Sequence, residues 1–180
     1  ARIVGDANLL TDTESRTFYS TDVFRQADVL ARAVVRPGTI DELQAAVRAC
    51  VAARAPMVVR GGGASYTDAY LATVEGTICF DMSRLTGIDV HEEDMYVTVE
   101  PGVTWAQLWK VLAPRGLRTP MWGPFSGLAA TVGGGMSHYA VNYGSGLYGV
   151  SAESLLGMDV ILASGEMVST GSGGVRLQKR

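Results

Sequence analysis

A glycine triplet with small neighbours, Gly61-Gly62-Gly63-Ala64-Ser65, comes directly after an apolar segment that is typical of a β-strand. Consecutive residues without bulky side chains expose their backbone N–H groups, and a row of such groups can bind the oxygen atoms of an anion. Arg60 could add positive charge, and Ser65 could add a hydroxyl donor. The same residues could instead form only a tight turn at the end of the strand. The segment is therefore a candidate anion site, with a simple turn as the alternative.

Two familiar phosphate-binding motifs can be tested against this segment, and both fail. A P-loop requires GxxxxGK[ST], and no lysine is present at the required position. A dinucleotide-binding fingerprint requires GxGxxG; Gly61 and Gly63 fit this pattern, but Tyr66 occupies the third glycine position. If the segment binds an anion, it therefore does so in a different structural context.

A second glycine cluster covers residues 123–149, which hold eight of the 22 glycines of the chain. Small residues let a ligand lie close to the backbone, and interleaved hydroxyl groups can bind polar atoms along it. The alternative is a glycine-rich connection without a ligand. Together, the two clusters could hold one long anionic cofactor from opposite sides. The interleaved polar residues are Ser126, Thr131, Ser137, Tyr139, Asn142 and Tyr143.

The elements around the first cluster form a strand–helix–strand pattern. Residues 31–37 predict a strand that ends at a Pro-Gly pair. Residues 39–42 predict a capping box, in which Thr39 and Glu42 satisfy the free amides at the start of a helix that runs to about Arg54. Residues 56–60 predict the next strand. Because a strand–helix–strand unit of this length requires a crossover, the two strands are expected to be parallel.

The remaining elements predict a mixed or antiparallel second half, and hence an α+β fold. Residues 117–151 are expected to be rich in loops, and a Ser-Gly turn predicts a hairpin near the end. The predicted elements are strands at 77–80, 87–91 and 95–100, a helix from the second capping box at Thr104 and Gln107 to about 114–116, and hairpin strands at 154–163 and 167–170.

Composition excludes several classes of function. The 180 residues are 47% hydrophobic and 18% charged, with a net charge of −3, which argues against binding to nucleic acid or to an anionic membrane surface. The sequence contains neither an apolar run of membrane-spanning length nor a signal peptide pattern, so a cytoplasmic protein without a transmembrane segment is expected. The cysteines, Cys50 and Cys79, lack zinc-site spacing and are predicted to be core residues.

A few other residues suggest chemistry but have simpler explanations. His138, inside the second cluster, could act as an acid or base, or be only a hydrogen-bonded loop residue. His91 and the acidic run 92–94 are expected to face solvent in a turn, and no metal site is predicted. Trp105, Trp109 and Trp122 could together form a platform for stacking on a ligand. Trp105 and Trp109 are four residues apart on a predicted helix, however, so packing in the core explains them better.

The ordered set of motifs resembles the FAD-binding domain of the vanillyl-alcohol oxidase and p-cresol methylhydroxylase (PCMH) type. The resemblance covers about residues 30–172, and the segment 19–22 is more similar to the glycolate oxidase and D-lactate dehydrogenase branch. The motifs that carry it, in chain order, are residues 34–37, 42–43 with Val47, 60–65, 80–85, 99–103, 131–134 with Ser137, and 156–160 ahead of Gly165.

This resemblance implies a two-lobed domain with FAD between the lobes and its diphosphate over the first glycine cluster. The implied organisation is an arm at 1–30, a small βαβ-containing lobe at 31–85, a larger lobe of mixed or antiparallel sheet with flanking helices at 86–174, and a basic tail at 175–180. The residues expected to bind FAD are Arg60, Gly61, Gly62, Gly63, Ala64, Ser65, Tyr66, Ser126, Thr131, Gly133, Gly134, Ser137 and Val141.

The sequence departs from the family where some members attach FAD covalently. The attachment histidine that follows the glycine triplet in those members is replaced by Ala64, and residues 117–150 contain no cysteine for a second link. Dissociable FAD is therefore expected.

The resemblance implies a flavin-dependent oxidoreductase that oxidises a hydroxy acid or an alcohol by hydride transfer to FAD and passes electrons to an acceptor. The alternatives are a reductase-type or electron-transfer flavin domain of the same fold, and a non-catalytic nucleotide-binding module. No residue is identified as catalytic. Because family members continue into a substrate or cap domain, the chain is expected to be the FAD-binding part of a larger enzyme, with a small-molecule substrate bound through that further domain.

Overall fold

The main sheet has four strands and belongs to the first part of the chain. In the computed structural model, which describes residues 1–121, 123 and 126–171, the strand order is β1-β2-β4-β3. Strands β2, β4 and β3 are mutually parallel, and β1 is an antiparallel edge strand. The strands are β1 Leu9–Leu10, β2 Ala33–Val35, β3 Met57–Arg60 and β4 Ile78–Asp81.

Five helices and two hairpins complete the described part of the chain. The helices are α1 Thr13–Tyr19, α2 Ile40–Ala52, α3 Trp105–Leu112, α4 Val132–Ser137 and α5 Ser145–Tyr148. The hairpin strands are β5 Ile88–His91 with β6 Tyr96–Val99, and β7 Asp159–Ile161 with β8 Met167–Ser169. This mixture of parallel and antiparallel sheets with flanking helices confirms the predicted α+β class. Trp122 and the predicted tail at 175–180 lie outside the described residues.

The predicted strand–helix–strand unit is confirmed, with one addition to its topology. Helix α2 connects β2 to β3, and these strands are parallel as expected, but β4 lies between them. The Thr39 hydroxyl accepts a hydrogen bond from the Glu42 N–H, as a capping residue does. The Glu42 carboxylate reaches one residue further back than the standard capping box, to the N–H of Gly38 at 2.7 Å.

The residues before residue 31 take part in the main sheet and in its core. They supply the edge strand β1, and the Val4 side chain joins the core formed by Val35, Phe80 and Leu85 under α2. The Arg16 guanidinium donates to the carbonyl of Ala31 at 2.7 Å and fixes α1 beside β2. The arm is therefore held by backbone pairing and apolar burial together.

A second core lies between the β5–β6 hairpin and α3. The capping box predicted at Thr104 and Gln107 is complete, with both reciprocal hydrogen bonds present. Helix α3 passes into a 3-10 turn and ends at Gly116, whose φ of 70° is the left-handed conformation that favours glycine at a helix end. The buried side chains of this core are Val103, Trp105, Leu108, Leu112, Met121 and Val132.

The expectation of a loop-rich segment at 117–151 is only partly correct, because the segment contains α4 and α5. The triplet Gly133-Gly134-Gly135 lies inside α4, although glycine is a poor helix former. The Thr131 hydroxyl accepts a hydrogen bond from the Gly134 N–H and caps this helix. The glycines also let α4 pack closely: a Cβ at Gly133 would lie 2.8 Å from Cα of Pro101.

The hairpin β7–β8 is present with the predicted Ser164-Gly165 turn, but its first strand is shorter than expected. The predicted strand began at Ser154, whereas the residues Ser151–Ser154 form a 3-10 turn and β7 begins at Asp159. The turn packs against α2, where the Gln44 side chain donates to the carbonyl of Gly165 at 3.3 Å. The end of the described chain is thereby joined to the first lobe.

The described residues contain no helix with the length and apolarity of a membrane span; the longest, α2, has 13 residues.

The two cysteines occupy different depths, and we expect their reactivity to differ. Cys79 is fully buried in β4, and burial raises the pKa of its thiol to about 12; burial also raises the pKa of Cys50 on α2. Because the thiolate is the reactive form, a disulfide reagent should react slowly with Cys50 and react with Cys79 only after unfolding. A folded Cys50→Ala variant should not react with the reagent. Rapid modification of two thiols in the native protein would contradict this burial.

Candidate cofactor-binding site

The first glycine cluster forms a loop at the carboxyl end of β3, beside the end of β4. Gly63 has a φ of 70°, so the loop reverses through a conformation that residues with side chains rarely adopt. None of the six backbone N–H groups of residues 61–66 donates a hydrogen bond to another described residue. A row of unused N–H groups in a turn with left-handed backbone is an anion-binding arrangement. The carboxyl edge of parallel strands is also where open α/β sheets place ligands.

The carbonyl groups of this loop are held by the arm and by Tyr70. The Val23 N–H donates to the carbonyl of Ser65 at 3.2 Å. The Tyr70 hydroxyl lies 3.0 Å from the Gly63 carbonyl and 3.1 Å from the carbonyl of Thr21. The Ser65 hydroxyl lies 3.1 Å from that of Thr67. The loop is therefore fixed through its acceptors, which leaves its donors available.

The guanidinium of Arg60 lies directly beneath this loop. A Cβ on Gly63 would overlap the Arg60 guanidinium, so the absence of a side chain at Gly63 allows the cation to approach the backbone. Three aromatic rings enclose the guanidinium carbon at 4.8–5.4 Å from their centroids, those of Phe18, Tyr19 and Tyr70. Its Nε is buried and has no hydrogen-bond partner. The rings position the charge by cation–π contact without neutralising it.

A buried carboxylate next to the loop neutralises a different arginine. Asp81, 1% exposed, accepts hydrogen bonds from Arg36 Nε at 3.1 Å and from the Tyr19 hydroxyl at 2.7 Å. Burial, followed by the hydrogen bond to Asp81, raises the pKa of Tyr19 to about 12. Because Asp81 pairs with Arg36, and Arg60 forms no ion pair with a described residue, the charge of Arg60 remains available to an anion above it.

The structure brings the two glycine clusters into direct contact. A Cβ on Gly61 would overlap the Thr131 hydroxyl, and a Cβ on Gly62 would overlap the carbonyl oxygen of Ala129. The first two glycines of the loop are therefore required for close packing between the clusters. Small residues at these two positions allow the two segments to meet. Segments that meet in this way could bind one ligand from both sides.

The second cluster carries the other predicted cofactor residues, and two of their hydroxyl groups already have partners. Thr131 accepts from Gly134, and the Ser137 hydroxyl donates to the carbonyl of Gly133 at 2.8 Å. The carbonyl of Ser126 accepts from the N–H groups of residues 129 and 130. The Ser137 hydroxyl therefore uses its proton within the cluster, whereas the Thr131 hydroxyl accepts only and keeps its own proton for a ligand.

Three of the predicted residues are exposed, namely Tyr66, Ser137 and Val141. Tyr66 is 66% exposed and Val141 is 76% exposed, so both present apolar surface to whatever lies over the site. Ala64 is half-buried in the loop, at the position where some family members have a histidine.

The other residues considered in the sequence lie in ordinary surroundings. His91 stacks on Tyr96 at 4.2 Å and lies 3.2 Å from an Asp89 oxygen, and the acidic run 92–94 is exposed. Within residues 1–121, 123 and 126–171, no three His, Cys, Asp or Glu side chains lie together as metal ligands. Trp105 is buried in the second core, which confirms the packing interpretation for it, whereas Trp109 is half-exposed. His138 is exposed.

Sequence reasoning missed the aromatic residues around Arg60 and the role of Asp81. Phe18 and Tyr19 belong to the arm, and nothing in the sequence placed them against Arg60. Tyr70 gives no motif signal. A useful clue is that Arg60 ends one predicted strand and Asp81 directly follows another; the structure pairs these two residues in register.

Comparison with known proteins agrees with this geometry. A family model described as "FAD binding domain" matches residues 31–171. The chain therefore belongs to this family of FAD-binding domains. The fold is that of the PCMH type: the structure of p-cresol methylhydroxylase superposes with a TM-score of 0.81 and 25% identity, over 97% of this chain and 34% of that one.

Two curated relatives are similar in sequence over most of the chain. The glycolate oxidase subunit GlcD of Bacillus subtilis is 27% identical over 94% of this chain and 36% of its own length. The mitochondrial cytochrome-type D-lactate dehydrogenase of Arabidopsis thaliana is 31% identical over 92% of this chain and 29% of its own length. The chain thus spans about a third of the length of these relatives.

The residues present fit FAD as the cofactor. Its diphosphate requires hydrogen-bond donors and positive charge, and the loop offers N–H groups that donate to no described residue, above the half-buried guanidinium of Arg60. The Gly61 and Gly62 positions allow the second cluster to lie against this loop.

Proposed function

We propose that the loop of residues 61–66 binds the diphosphate of FAD through its backbone N–H groups, with the Arg60 guanidinium beneath it. The observation that carries this proposal is the coincidence of two features at one place: loop N–H groups that donate to no described residue, and a half-buried guanidinium that forms no ion pair with the described residues. A backbone cradle with a fixed charge recognises phosphate oxygens and needs no sequence motif of the P-loop type.

The second cluster lies against the opposite side of this loop, and we assign it the rest of the cofactor. Thr131 touches the loop at Gly61, and its neighbours continue away from this contact along α4. The residues proposed to line the cofactor are Arg60, Gly61, Gly62, Gly63, Ala64, Ser65, Tyr66, Ser126, Thr131, Gly133, Gly134, Ser137 and Val141.

The proposed activity of the whole protein is oxidation of a hydroxy acid or an alcohol. Bound FAD would accept a hydride from the substrate and pass the electrons to an acceptor. The contribution of this chain is to hold the diphosphate, to exclude water by close packing of its two glycine clusters, and to fix the position of the cofactor against the second lobe. The names of the relatives, glycolate oxidase and D-lactate dehydrogenase, support this substrate class. Anaerobic addition of a 2-hydroxy acid should bleach the flavin absorbance of the complete enzyme, whereas bleaching by NADPH alone would contradict the proposal.

We expect the FAD to be bound without a covalent link. Ala64 has no nucleophilic atom, and the cysteine closest to this loop in the sheet, Cys79, is fully buried with a raised thiol pKa. Acid precipitation should therefore release all the flavin into the supernatant, and the intact mass of the chain should equal that of the polypeptide. Flavin absorbance that remains with the precipitate would contradict this expectation.

Replacing Arg60 tests the diphosphate site. Arg60→Met keeps the length of the side chain among the three rings but removes the charge, and we expect the Kd for FAD to rise about tenfold to a hundredfold, as loss of a charged hydrogen-bonding group predicts. ADP should lose affinity by the same factor, because it carries the same diphosphate. Flavin fluorescence and calorimetric titrations measure these changes.

The matched control is Arg32→Met, which removes one exposed arginine outside the loop. This variant should bind FAD as the unmodified chain does. Equal weakening in both variants would show that net charge alone is responsible and would contradict a specific role for Arg60. Circular dichroism checks that both variants are folded.

A further inference from the structure

The side chain of Asn142 is buried, and it has no hydrogen-bond partner. The residue is 7% exposed, and neither its amide nitrogen nor its amide oxygen is paired. Leaving both groups of an amide unpaired in the interior is costly, so a buried side chain of this kind in a folded protein calls for an explanation.

The surrounding backbone prevents Asn142 from satisfying its own amide. The Asn142 N–H donates to the Ser145 hydroxyl at 3.0 Å, and its carbonyl accepts from the Ser145 N–H at 3.0 Å. These two bonds close a tight turn ahead of α5 and occupy the polar groups that an asparagine side chain would otherwise use. The amide is therefore fixed in place, shielded from solvent and paired with none of the described residues.

The location of Asn142 connects it to the proposed cofactor. It follows Val141, one of the proposed lining residues, and the segment is tied to α4 because the Ala140 N–H donates to the Gly135 carbonyl at 3.0 Å. The Ala140 carbonyl in turn accepts from the Ser151 hydroxyl at 2.9 Å. Hydrogen bonds at Ala140 thus tie this part of the second glycine cluster to α4 and to Ser151.

We infer that Asn142 binds the edge of one of the two ring systems of FAD through its side-chain amide; this inference rests on the proposed function. A planar amide offers a donor beside an acceptor, and the edges of adenine and of the flavin pyrimidine ring each offer an acceptor beside a donor. A diphosphate offers acceptors only, so it would leave the amide oxygen unpaired. The ring edges are therefore the parts of the cofactor that pair with both functions.

The test uses Asn142→Leu, which has nearly the same shape and no polar atoms. Without nucleotide, this variant should be more stable than the unmodified chain, with a Tm about 2–4 °C higher, because the unpaired amide is removed. Its Kd for FAD should rise about tenfold, because the ring edge loses its partner. If ADP loses the same factor and FMN does not, the adenine edge is the partner; the reverse result identifies the flavin edge.

The other asparagine of the chain provides a matched control. The Asn8 amide already donates to the carbonyl of Val4 at 2.9 Å. Asn8→Leu should therefore lower the Tm and leave the Kd for FAD unchanged, the opposite pattern to Asn142→Leu. If Asn142→Leu does not fold, Asn142→Ala supplies the affinity measurement with a smaller side chain.

The outcomes separate the inference from the proposed function. An unmodified chain that binds none of FAD, ADP and FMN overturns the proposed function and, with it, the inference. A chain that binds FAD with the same Kd before and after removal of the Asn142 amide overturns the inference alone. A Tm that falls in Asn142→Leu while the Kd stays constant shows a structural role and also overturns it.

Discussion

Gly62→Ala should destabilise the protein by about 3 kcal/mol or more, at the upper end of overpacking effects, and lower the Tm by about 6–12 °C. A Cβ at this position would overlap the carbonyl oxygen of Ala129 and would lie 3.1 Å from the Ala130 nitrogen. These are backbone atoms, so no change of rotamer can relieve the overlap. Either the two glycine clusters separate, or the loop moves and its N–H groups lose their arrangement. FAD affinity should fall in both cases, and thermal unfolding with and without FAD measures both effects.

Two further glycines make this prediction specific. Gly146→Ala, in α5, meets nothing within 4 Å and should leave the Tm unchanged or slightly higher. Gly61→Ala should have an intermediate effect, because the added Cβ meets the Thr131 side chain, which can rotate at the cost of its cap on α4. A Gly62→Ala variant as stable as Gly146→Ala would show that the two clusters are not in contact.

The local signals in the sequence account for the elements that carry the loop. The capping residues Thr39 and Thr104 lie where helices α2 and α3 begin, and the apolar strand before Arg60 is β3. These features depend on neighbouring residues, so a short stretch of sequence is sufficient to predict them. The position of the candidate loop followed from the same signals.

The helix around Gly133 could not be predicted from local signals, because three consecutive glycines disfavour a helix. It forms because Thr131 caps it and because its glycine faces pack against Pro101 and Trp105; a Cβ on Gly135 would lie 3.4 Å from the indole ring. Those partners are about 30 residues away in the chain. Strand β1 is only two residues long and also depends on a partner that is distant in the chain, so it was not recognised either.

The arrangement around Arg60 is also tertiary. The three rings that enclose its guanidinium come from α1 and from the segment after the loop, and the Tyr70 hydroxyl lies within hydrogen-bond distance of the carbonyl groups of Thr21 in the arm and Gly63 in the loop. A sequence can indicate that a strand ends in an arginine and three glycines. It cannot indicate that aromatic side chains from elsewhere surround that arginine while it forms no ion pair with the described residues.

Asp81→Asn should destabilise the protein by about 2–4 kcal/mol. One carboxylate oxygen accepts from Tyr19, Arg36 and the Ser83 hydroxyl, and the other accepts from the Ser83 N–H at 3.0 Å. An asparagine amide places an N–H₂ group against one of these sets of donors in either orientation, and it removes the partner of Arg36. Chemical denaturation measures the loss, and Tyr19→Phe, which removes a single hydrogen bond, should cost only about 1 kcal/mol.

The same pair of variants has a pH dependence of defined sign. Tyr19 has a folded pKa of about 12 against an unfolded value of 10.0, so its contribution to stability is fully present below pH 10 and is lost as the pH rises from 10 to 12. Tyr19→Phe should abolish this part of the alkaline loss. Asp81→Asn should lower the pKa of Tyr19 but leave it above 10, because burial is the largest cause of the shift and the carboxylate is the second. A tyrosinate absorbance titration separates the two causes, and an unchanged pKa in Asp81→Asn would show that the carboxylate does not act on Tyr19.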